Sequence, residues 1–417
     1  MKKFDVIVVG AGPSGMMAAI AAAENGVKVA LIDKNKNVGK KLLLTGGGRC
    51  NVTNSASVEE ILSNVPGNGR FLYSAFSQFD NQDIIRFFET NGVKLKEEDH
   101  GRIFPVSDKS KTIVDALFQK ILSLHISVFS QSTVESLIIE EKQIKGLKVN
   151  GENFQSKAVI LSTGGKAYPS TGSTGDGYQF AKSAGHTITK LFATESSLIS
   201  DEKFIAKKEL MGISLRDIKL SVLNQKSKIV ISHQHDLLFT HFGLSGPAAL
   251  RSSTFVNQEL LKGAKSVTVS LDQFPDKSAE QLKQEISQLV KSDKSIKNLL
   301  TSISQERMAI FALKYCQISE SKSGRQISEK DIEQIVDFYK NFQININKTF
   351  PIEKSFVTAG GVSLKEINPK TLESKLCKGL FMTGELLDIN GYTGGYNITC
   401  AFVTGHVAGS HSTSESV

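Results

Sequence analysis

Residues 4–33, which read FDVIVVGAGPSGMMAAIAAAENGVKVALID, decide the fold of this chain. The apolar run 4–9 predicts a buried strand, the small residues 16–25 predict a helix, and the run 28–32 predicts a second strand. A turn of the form G-x-G-x-x-G joins the first strand to the helix. Its glycines are Gly10, Gly12 and Gly15. Together with the acidic residue after the second strand, this order is the βαβ fingerprint of dinucleotide-binding domains.

Each position of the fingerprint has a physical role. Gly10 permits the tight turn, Gly12 lets the backbone approach a pyrophosphate, and Gly15 lets the helix pack closely on the strand. Pro13 and Ser14 lie between these glycines and are also expected at the cofactor, and the amides at the helix N-terminus would meet the phosphates. Asp33 lies 23 residues after Gly10, close to the roughly 20 expected for a carboxylate that binds a ribose 2′-OH. The sequence therefore predicts a nucleotide cofactor at the N-terminal turn.

Size and composition limit the class of protein. The chain has 417 residues, of which 40% are hydrophobic and 22% charged, as in globular proteins of two or three domains. No apolar run approaches the roughly 18 residues of a membrane-spanning helix. Asp5 and the glycine turn interrupt any signal-peptide core, so we expect a cytoplasmic protein without a membrane partner.

The cysteines and the charge narrow the chemistry further. The four cysteines show neither a CxxC pair nor metal-ligand spacing, so we expect no metal and no dithiol redox centre. The net charge is +8, yet most lysines are scattered among acidic residues. A tight basic group at residues 34–49 follows the fingerprint directly, and its simplest use is to offset a bound diphosphate. The scattered charge favours a protein without a nucleic-acid partner, and nucleic-acid binding remains an alternative.

Glycine-rich texture recurs at both ends of the chain. Residues 45–54 read TGGGRCNVTN, and glycines return at 358–361, 384–385 and 391–397. Such segments suit loops whose backbone amides face a ligand. An extended two-ring cofactor needs contacts from distant segments, so these loops favour FAD over NAD.

The middle of the chain has a different texture. We expect residues 1–190 to form the first part of an FAD-binding domain and residues 351–417 its C-terminal part. An inserted domain would occupy residues 191–350. Alternating strands predict a β-barrel-like portion at 191–275, and amphipathic repeats predict a helical portion at 276–350.

Four longer segments of the chain resemble the motifs of a known family. The matching segments are TGGGRCNVTN at 45–54, GRIFP at 101–105, FTHFGLSGP at 239–247 and GELLDINGYTGGYN at 384–397. These motifs look like those of the BaiN-like NAD(P)/FAD-dependent oxidoreductases, an aminoacetone-oxidase-type FAD family of the glutathione-reductase-type flavoprotein superfamily. The resemblance covers essentially the whole chain. It implies an α/β fold in which a Rossmann-like FAD-binding domain carries an inserted β-barrel plus helical module.

The resemblance also implies which residues lie along the cofactor. Gly10, Gly12, Gly15 and Asp33 would hold the ADP half, and Val134 would contact adenine through its backbone. Further positions are expected near the diphosphate, the ribityl chain or the flavin ring. They are Lys34, Lys41, Gly46, Gly48, Arg49, Cys50, Asn51, Thr163, Gly164, Gly384, Glu385, Asp388, Gly394, Gly395, Tyr396 and Asn397.

No catalytic residue can be fixed from the sequence, and three positions are candidates. Cys50 could act near the flavin or simply pack, and His241 could act as an acid or base or merely order a turn. Arg102, like Arg49, could hold a substrate carboxylate or phosphate, or form a structural pair. The histidines of the segment 233–235 are expected at a hairpin tip rather than at a metal.

The expected function is an FAD-dependent oxidoreductase that transfers hydride through flavin N5 between NAD(P)H and an unidentified small organic substrate. NAD(P)H would bind transiently, because the glycines at 172–177 have the wrong spacing for a second fingerprint. A helix from Tyr396 would direct its N-terminus at the flavin N1 region. An FAD-dependent amine oxidase that uses O2 and an RNA-associated flavoprotein remain alternatives. The sequence leaves the oligomeric state open.

Overall fold

The computed structural model describes residues 2–413, and these form two compact units. The first unit takes the chain up to Phe192 and again from Ile352 onward. The second unit is Ala193–Pro351. The predicted insertion covers residues 191–350. The second unit begins two residues after the predicted start and ends one residue after the predicted end.

A five-stranded parallel sheet forms the centre of the first unit. Its strands, in spatial order, are Leu380–Met382, Ala158–Leu161, Val6–Val9, Val29–Ile32 and Ser127–Phe129. The middle strands are short apolar runs buried at every position, as expected when helices cover both faces of a parallel sheet. The Rossmann-type α/β fold predicted from residues 4–33 is therefore confirmed.

Smaller elements surround this sheet. An antiparallel set joins Val134–Glu140, Gln143–Val149 and Glu152–Gln155, with Lys2–Lys3 at its edge, and a second joins Thr53–Asn54, Arg102–Pro105 and Leu95–Glu98. The helices of the first unit are Pro13–Glu24, Val58–Ser63, Tyr73–Phe76, Asn81–Thr90, Ser110–Ser123, Asp176–Ser183 and Tyr396–His411. The fingerprint helix begins at Pro13 rather than at residue 16, because proline suits the first helical position.

The two ends of the chain meet where the C-terminal helix, Tyr396–His411, packs on the fingerprint helix, Pro13–Glu24. Glycine makes this approach possible. An added Cβ at Gly405 would lie 2.2 Å from the Ser14 carbonyl oxygen, and one at Gly409 would lie 2.3 Å from that of Ala18. The helices therefore touch backbone to backbone.

The second unit contains a closed antiparallel barrel. In spatial order its strands are Phe342–Ile346, Val267–Asp272, Ser214–Leu223, Ile229–Phe239, Gly243–Ser245, Leu198–Ile199 and Lys348–Thr349. The continuous stretch 342–349 supplies both ends of this order, and the Asn347 amide donates to the Ile199 carbonyl at 2.9 Å. The sheet therefore closes on itself. A helix at Pro247–Leu261 contacts strands around the sheet.

Four main helices complete the second unit. They are Ala279–Leu289, Ile296–Leu300, Glu306–Tyr315 and Glu329–Asn341, and a short one lies at Lys203–Ala206. The predicted capping box at Ser278 is present. Two expectations need correction. Residues 342–349 return to the barrel instead of remaining helical, and His233 lies buried within the strand Ile229–Phe239 instead of at a hairpin tip. Burial lowers its pKa to about 4.

Candidate functional site

The glycine turn after the first strand leaves room for a ligand at one position only. Gly10 has a φ of +101°, and a Cβ there would lie 2.5 Å from the Ser162 carbonyl oxygen. A Cβ on Gly15 would lie 1.8 Å from the carbonyl oxygen of Gly10. At Gly12, by contrast, no atom lies within 4 Å of an added Cβ. Close backbone contacts therefore require glycine at Gly10 and Gly15, whereas Gly12 faces open space.

That open space lies at the N-terminus of the fingerprint helix. Gly12 is the N-cap, and none of the described side chains caps this end. The first-turn amides are therefore left for an acceptor other than a capping side chain, and the positive end of the helix dipole adds to their attraction for an anion. An open approach and donor amides are what a diphosphate requires.

The acid of the fingerprint lies beside this turn. Asp33 accepts hydrogen bonds from the amides of Ala11 and Asn35, each at 2.7 Å, so its carboxylate is oriented by the backbone. The Ser132 amide donates to the Asp33 carbonyl at 3.0 Å and brings the strand that starts at Val134 to the same edge. The two residues expected at the adenosine are thus neighbours.

Two lysines of the basic group that follows the fingerprint have partners in the loop at 170–176. Lys34 binds Thr174 and forms an ion pair of 2.5 Å with Asp176. Lys40 donates to the Ser170 carbonyl at 2.6 Å. Both lysines fasten the 170–176 loop over the fingerprint. From the sequence, the glycines of this loop only excluded a second nucleotide fingerprint. Asp176 was therefore not among the predicted site residues.

The second glycine loop runs in an unusual backbone conformation. Gly46, Gly47 and Gly48 all have positive φ, between +56° and +88°, and all three are exposed. Side-chain-bearing residues rarely adopt three such positions in succession. Around Gly47 and Gly48 an added Cβ would meet nothing within 4 Å. The loop therefore presents bare backbone to its surroundings.

The two residues that follow this loop, Arg49 and Cys50, are held by their surroundings. Arg49 pairs with both Glu98 and Asp108 and lies 4.3 Å from the centre of the Phe104 ring. Arg49 thus forms the structural ion pairs that were one of its two predicted roles. Cys50 is fully buried, and burial raises its thiol pKa to about 12, so the thiolate that a nucleophile needs is scarce.

Lys41 and Glu385, which are 344 residues apart in the chain, form an ion pair of 2.8 Å. The other oxygen of Glu385 accepts from the Thr358 amide at 2.7 Å. A Cβ on Gly165 would lie within 2.9 Å of both Thr358 and Glu385 side chains, so Gly165 must be glycine. Segments from both chain ends therefore converge here, and Thr358 is a member that the sequence reasoning missed.

The C-terminal glycine loop contacts the second loop. Asn54 donates to the Gly394 carbonyl at 3.1 Å, and a Cβ on Gly395 would lie 3.0 Å from the side-chain oxygen of Asn51. Asn397 binds both the amide and the carbonyl of Gly391. Its side chain thus braces the loop, while the helix begins at the buried Tyr396. Gly384 lies against the Ser14 side chain.

Several buried polar atoms near these loops lack a hydrogen-bond partner among residues 2–413. They are the side-chain oxygens of Asn51, Thr163 and Tyr178 and the side-chain nitrogen of Asn390. A buried unsatisfied polar atom costs about 1–3 kcal/mol, so such atoms indicate a missing ligand or water. Gly164, beside Thr163, has a φ of +70° and also exposes its backbone.

Tyr178 is buried within electrostatic range of two carboxylates. Burial, together with the charges of Glu385 and Asp388, raises the pKa of Tyr178, and burial raises that of Asp388. Nothing in the sequence pattern distinguished Tyr178, which the helix Asp176–Ser183 positions. A run of donors, acceptors and open glycine backbone from Asp33 to Asn51 and Gly395 fits an extended dinucleotide such as FAD.

The remaining candidates have simple surroundings. Arg102 donates to the Asp99 carbonyl at 2.9 Å and lies near the Phe104 ring. His241 is exposed in the second unit, in a turn where its ring meets the edge of Phe242. Neither arrangement assigns a substrate-binding role to Arg102 or an acid–base role to His241. Along the described part of the chain, no helix is long and apolar enough to cross a membrane.

Comparisons with known proteins extend over the whole chain. Residues 4–411 match the family described as HI0933-like protein Rossmann domain. A 3-dehydro-bile acid delta(4,6)-reductase of Clostridium scindens is 30% identical over 96% of this chain and 97% of its own. A ribosomal RNA dihydrouridine synthase of Haemophilus influenzae is 30% identical over 95% of each chain.

A solved structure supports the fold. The 3-ketosteroid delta1-dehydrogenase of Sterolibacterium denitrificans, in complex with 1,4-androstadiene-3,17-dione, superposes with a TM-score of 0.53. The match covers 99% of this chain and all of that one, with 14% sequence identity. At this identity the likeness concerns the fold alone. The family resemblance found in the glycine motifs is confirmed by the full-length matches.

Proposed function

Since this chain belongs to the HI0933-like Rossmann family and is an FAD-dependent oxidoreductase, we propose that it reduces a carbon–carbon double bond conjugated to a carbonyl group. The observation that carries this proposal is the full-length likeness to two relatives whose names share that chemistry. A 3-dehydro bile acid with delta(4,6) unsaturation is a conjugated dienone. Dihydrouridine is uridine whose C5=C6 bond, conjugated to the C4 carbonyl, has been reduced.

The reaction adds a hydride and a proton across the double bond. Hydride goes to the carbon β to the carbonyl, the electron pair moves onto the carbonyl oxygen, and a proton completes the α carbon. The electrons come from NAD(P)H, which leaves as NAD(P)+. FAD, when bound, supplies the hydride carrier between the two.

The chain's own residues supply position and electrostatics. The turn at Gly12 and the helix that it caps would hold the diphosphate, and Asp33 would hold the ribose. The C-terminal helix begins at Tyr396 after two glycines of positive φ, and none of the described side chains caps it. Its N-terminus would stabilise negative charge on the reduced ring by up to about 2 kcal/mol.

The framework that carries the double bond is a separate question. We favour a small conjugated ketone as the substrate class. RNA is the second candidate, because the net charge of +8 suits a polyanion and one relative is named for ribosomal RNA. An amine oxidase has no support from the names of the relatives reported above.

Anaerobic mixing of the purified holoenzyme with NADH or NADPH tests the reductive half. We expect the yellow flavin to bleach rapidly with at least one of them. The reduced protein is then mixed with a 3-oxo-delta(4) steroid or with uridine-containing RNA. We expect the flavin colour to return and the steroid to gain two hydrogen atoms by mass spectrometry.

The alternatives predict different results. Conversion of RNA uridine to dihydrouridine, with no change in the steroid, would move the assignment to RNA. Peroxide formed from amines in air, by a protein that neither nucleotide bleaches, would replace the reductase by an oxidase.

A further inference from the structure

The first unit carries a surface groove that the proposed cofactor site does not use. Its volume is about 750 Å³, within the roughly 300–1,000 Å³ that ligand sites occupy. Leu62, Val65 and Leu364 form apolar parts of the lining. Phe71 and Tyr73 add aromatic rings, and Arg70 and Lys365 add positive charge. The groove thus combines flat apolar surface with cations.

Both walls of the groove are fastened to the C-terminal cofactor segment. On one side, Asn68 donates to the Asp388 carbonyl at 2.8 Å and the Gly67 amide donates to the Asn390 carbonyl at 3.1 Å. On the other side, Val362, two residues before Leu364, donates to the Leu386 carbonyl at 2.9 Å. The groove therefore adjoins the stretch 386–390, which follows Glu385.

The cations of the groove differ from three of the cations that follow the fingerprint. Lys34, Lys41 and Arg49 are all engaged with carboxylates. Arg70 and Lys365 are exposed, and neither side chain has an ion pair or hydrogen bond with any residue in the range 2–413. Glu59 is the one carboxylate of the lining. Two unpaired cations at one groove are suited to an anionic ligand.

The aromatic residues of the groove restrict the chemical class of the ligand further. Tyr73 lines the groove and is 51% exposed, so one face of its ring is open to a ligand. A half-exposed ring beside free cations offers a stacking surface for a base next to a binding site for phosphate. The ligand chemistry that combines both is a nucleotide.

We propose that this groove binds NAD(P)H, with its phosphates at Arg70 and Lys365 and a ring against Tyr73. The inference rests on the proposed function, which requires a nicotinamide donor. The sequence contains no second βαβ fingerprint for that donor. A donor site must adjoin the cofactor that it reduces, and this groove is built on the cofactor segment itself.

Charge removal in the holoenzyme tests the proposal. We choose Arg70→Gln, Lys365→Gln and the double variant, with Lys94→Gln as control, because Lys94 is exposed and forms no ion pair with any residue in the range 2–413. In anaerobic bleaching, each single variant should raise the half-saturating NAD(P)H concentration about tenfold, as for loss of one charge-assisted bond. FAD content, the limiting bleaching rate and reduction by dithionite should match the wild type.

Direct binding completes the test. Titration calorimetry should show NAD+ or NADP+ binding to the wild type and to Lys94→Gln, and weaker binding to the three groove variants. If flavin bleaching and nucleotide binding are unchanged in the double variant, the assignment of NAD(P)H to this groove is wrong. The proposed reductase activity would be unaffected. Loss of RNA retention in the double variant, with NAD(P)H saturation unchanged, would reassign the groove to RNA.

Failure of the nicotinamide donor can be distinguished from failure of the proposed reduction. If neither nucleotide bleaches or binds the wild type, the nicotinamide donor and the groove assignment fall together. Transfer of hydride from the dithionite-reduced protein to the steroid would then still support the reductase.

Discussion

Among single residues, Gly12 should control cofactor binding with little effect on the fold. Its φ of −79° is open to any residue, and no neighbour lies within 4 Å of an added Cβ. Gly12→Val should therefore fold but fill the space that the diphosphate needs. We expect colourless protein, measured by the visible flavin absorbance, with an apo-protein unfolding free energy within about 1 kcal/mol of wild type.

Gly12→Ala provides a graded control, since its single methyl group should reduce FAD affinity by less than valine does. A Gly12→Val protein that carries a full complement of flavin would remove the diphosphate from this turn.

Cys50 should be chemically inert in the folded protein. A thiol with a pKa of about 12 has a thiolate fraction of about one in ten thousand at pH 8. Cys316 is more accessible, and burial raises its pKa less, to about 11. We expect iodoacetamide at pH 8 to label Cys316 well before Cys50, as read by peptide mass spectrometry.

The variant Cys50→Ala then separates packing from catalysis. It should bleach with NAD(P)H at the wild-type rate, and a large loss of rate without loss of flavin would make Cys50 a participant in the reaction.

Between elements, the contact of the fingerprint helix with the C-terminal helix should tolerate no added atom. Alanine normally favours a helix over glycine by about 1 kcal/mol. At Gly405 its methyl group would lie 2.2 Å from a backbone oxygen. We therefore expect Gly405→Ala to lower the free energy of unfolding by about 1–3 kcal/mol, measured by urea titration.

Ser410→Ala, on the same helix but half-buried, is the matched control and should leave the urea midpoint unchanged or raise it slightly. Equal stability of Gly405→Ala and wild type would show that the helices can separate at no cost.

For the whole molecule, the two units should be separable. The second unit has its own core, and its ends are paired, since Leu198–Ile199 runs antiparallel to Lys348–Thr349. An insertion that enters and leaves at one place can be excised. We expect residues 193–351 to unfold cooperatively alone, without flavin, in a calorimetric scan.

The complementary chain, with residues 193–351 replaced by a short Gly-Ser linker, should remain yellow because every residue assigned to the cofactor lies in the first unit. A folded but colourless shortened chain would show that the second unit contributes to holding FAD.

Local sequence determined the elements and the class of cofactor. The strands, the turn at Gly10 and the capping box at Ser278 follow from neighbouring residues, because backbone conformation and hydrophobic periodicity are short-range properties. The barrel was predictable from alternation, although its closure by residues 342–349 was not.

Only the tertiary structure decided which charged side chains of the site pair with one another. The pairing of Lys41 with Glu385 joins residues 344 positions apart, and the engagement of Arg49 with Glu98 and Asp108 removes it from the free cations. The unpaired Arg70 and Lys365 were likewise invisible, since a lysine or arginine looks the same in sequence whether or not a carboxylate meets it. Ion pairing and burial depend on which distant segments are brought together, and periodicity along the chain carries no information about that.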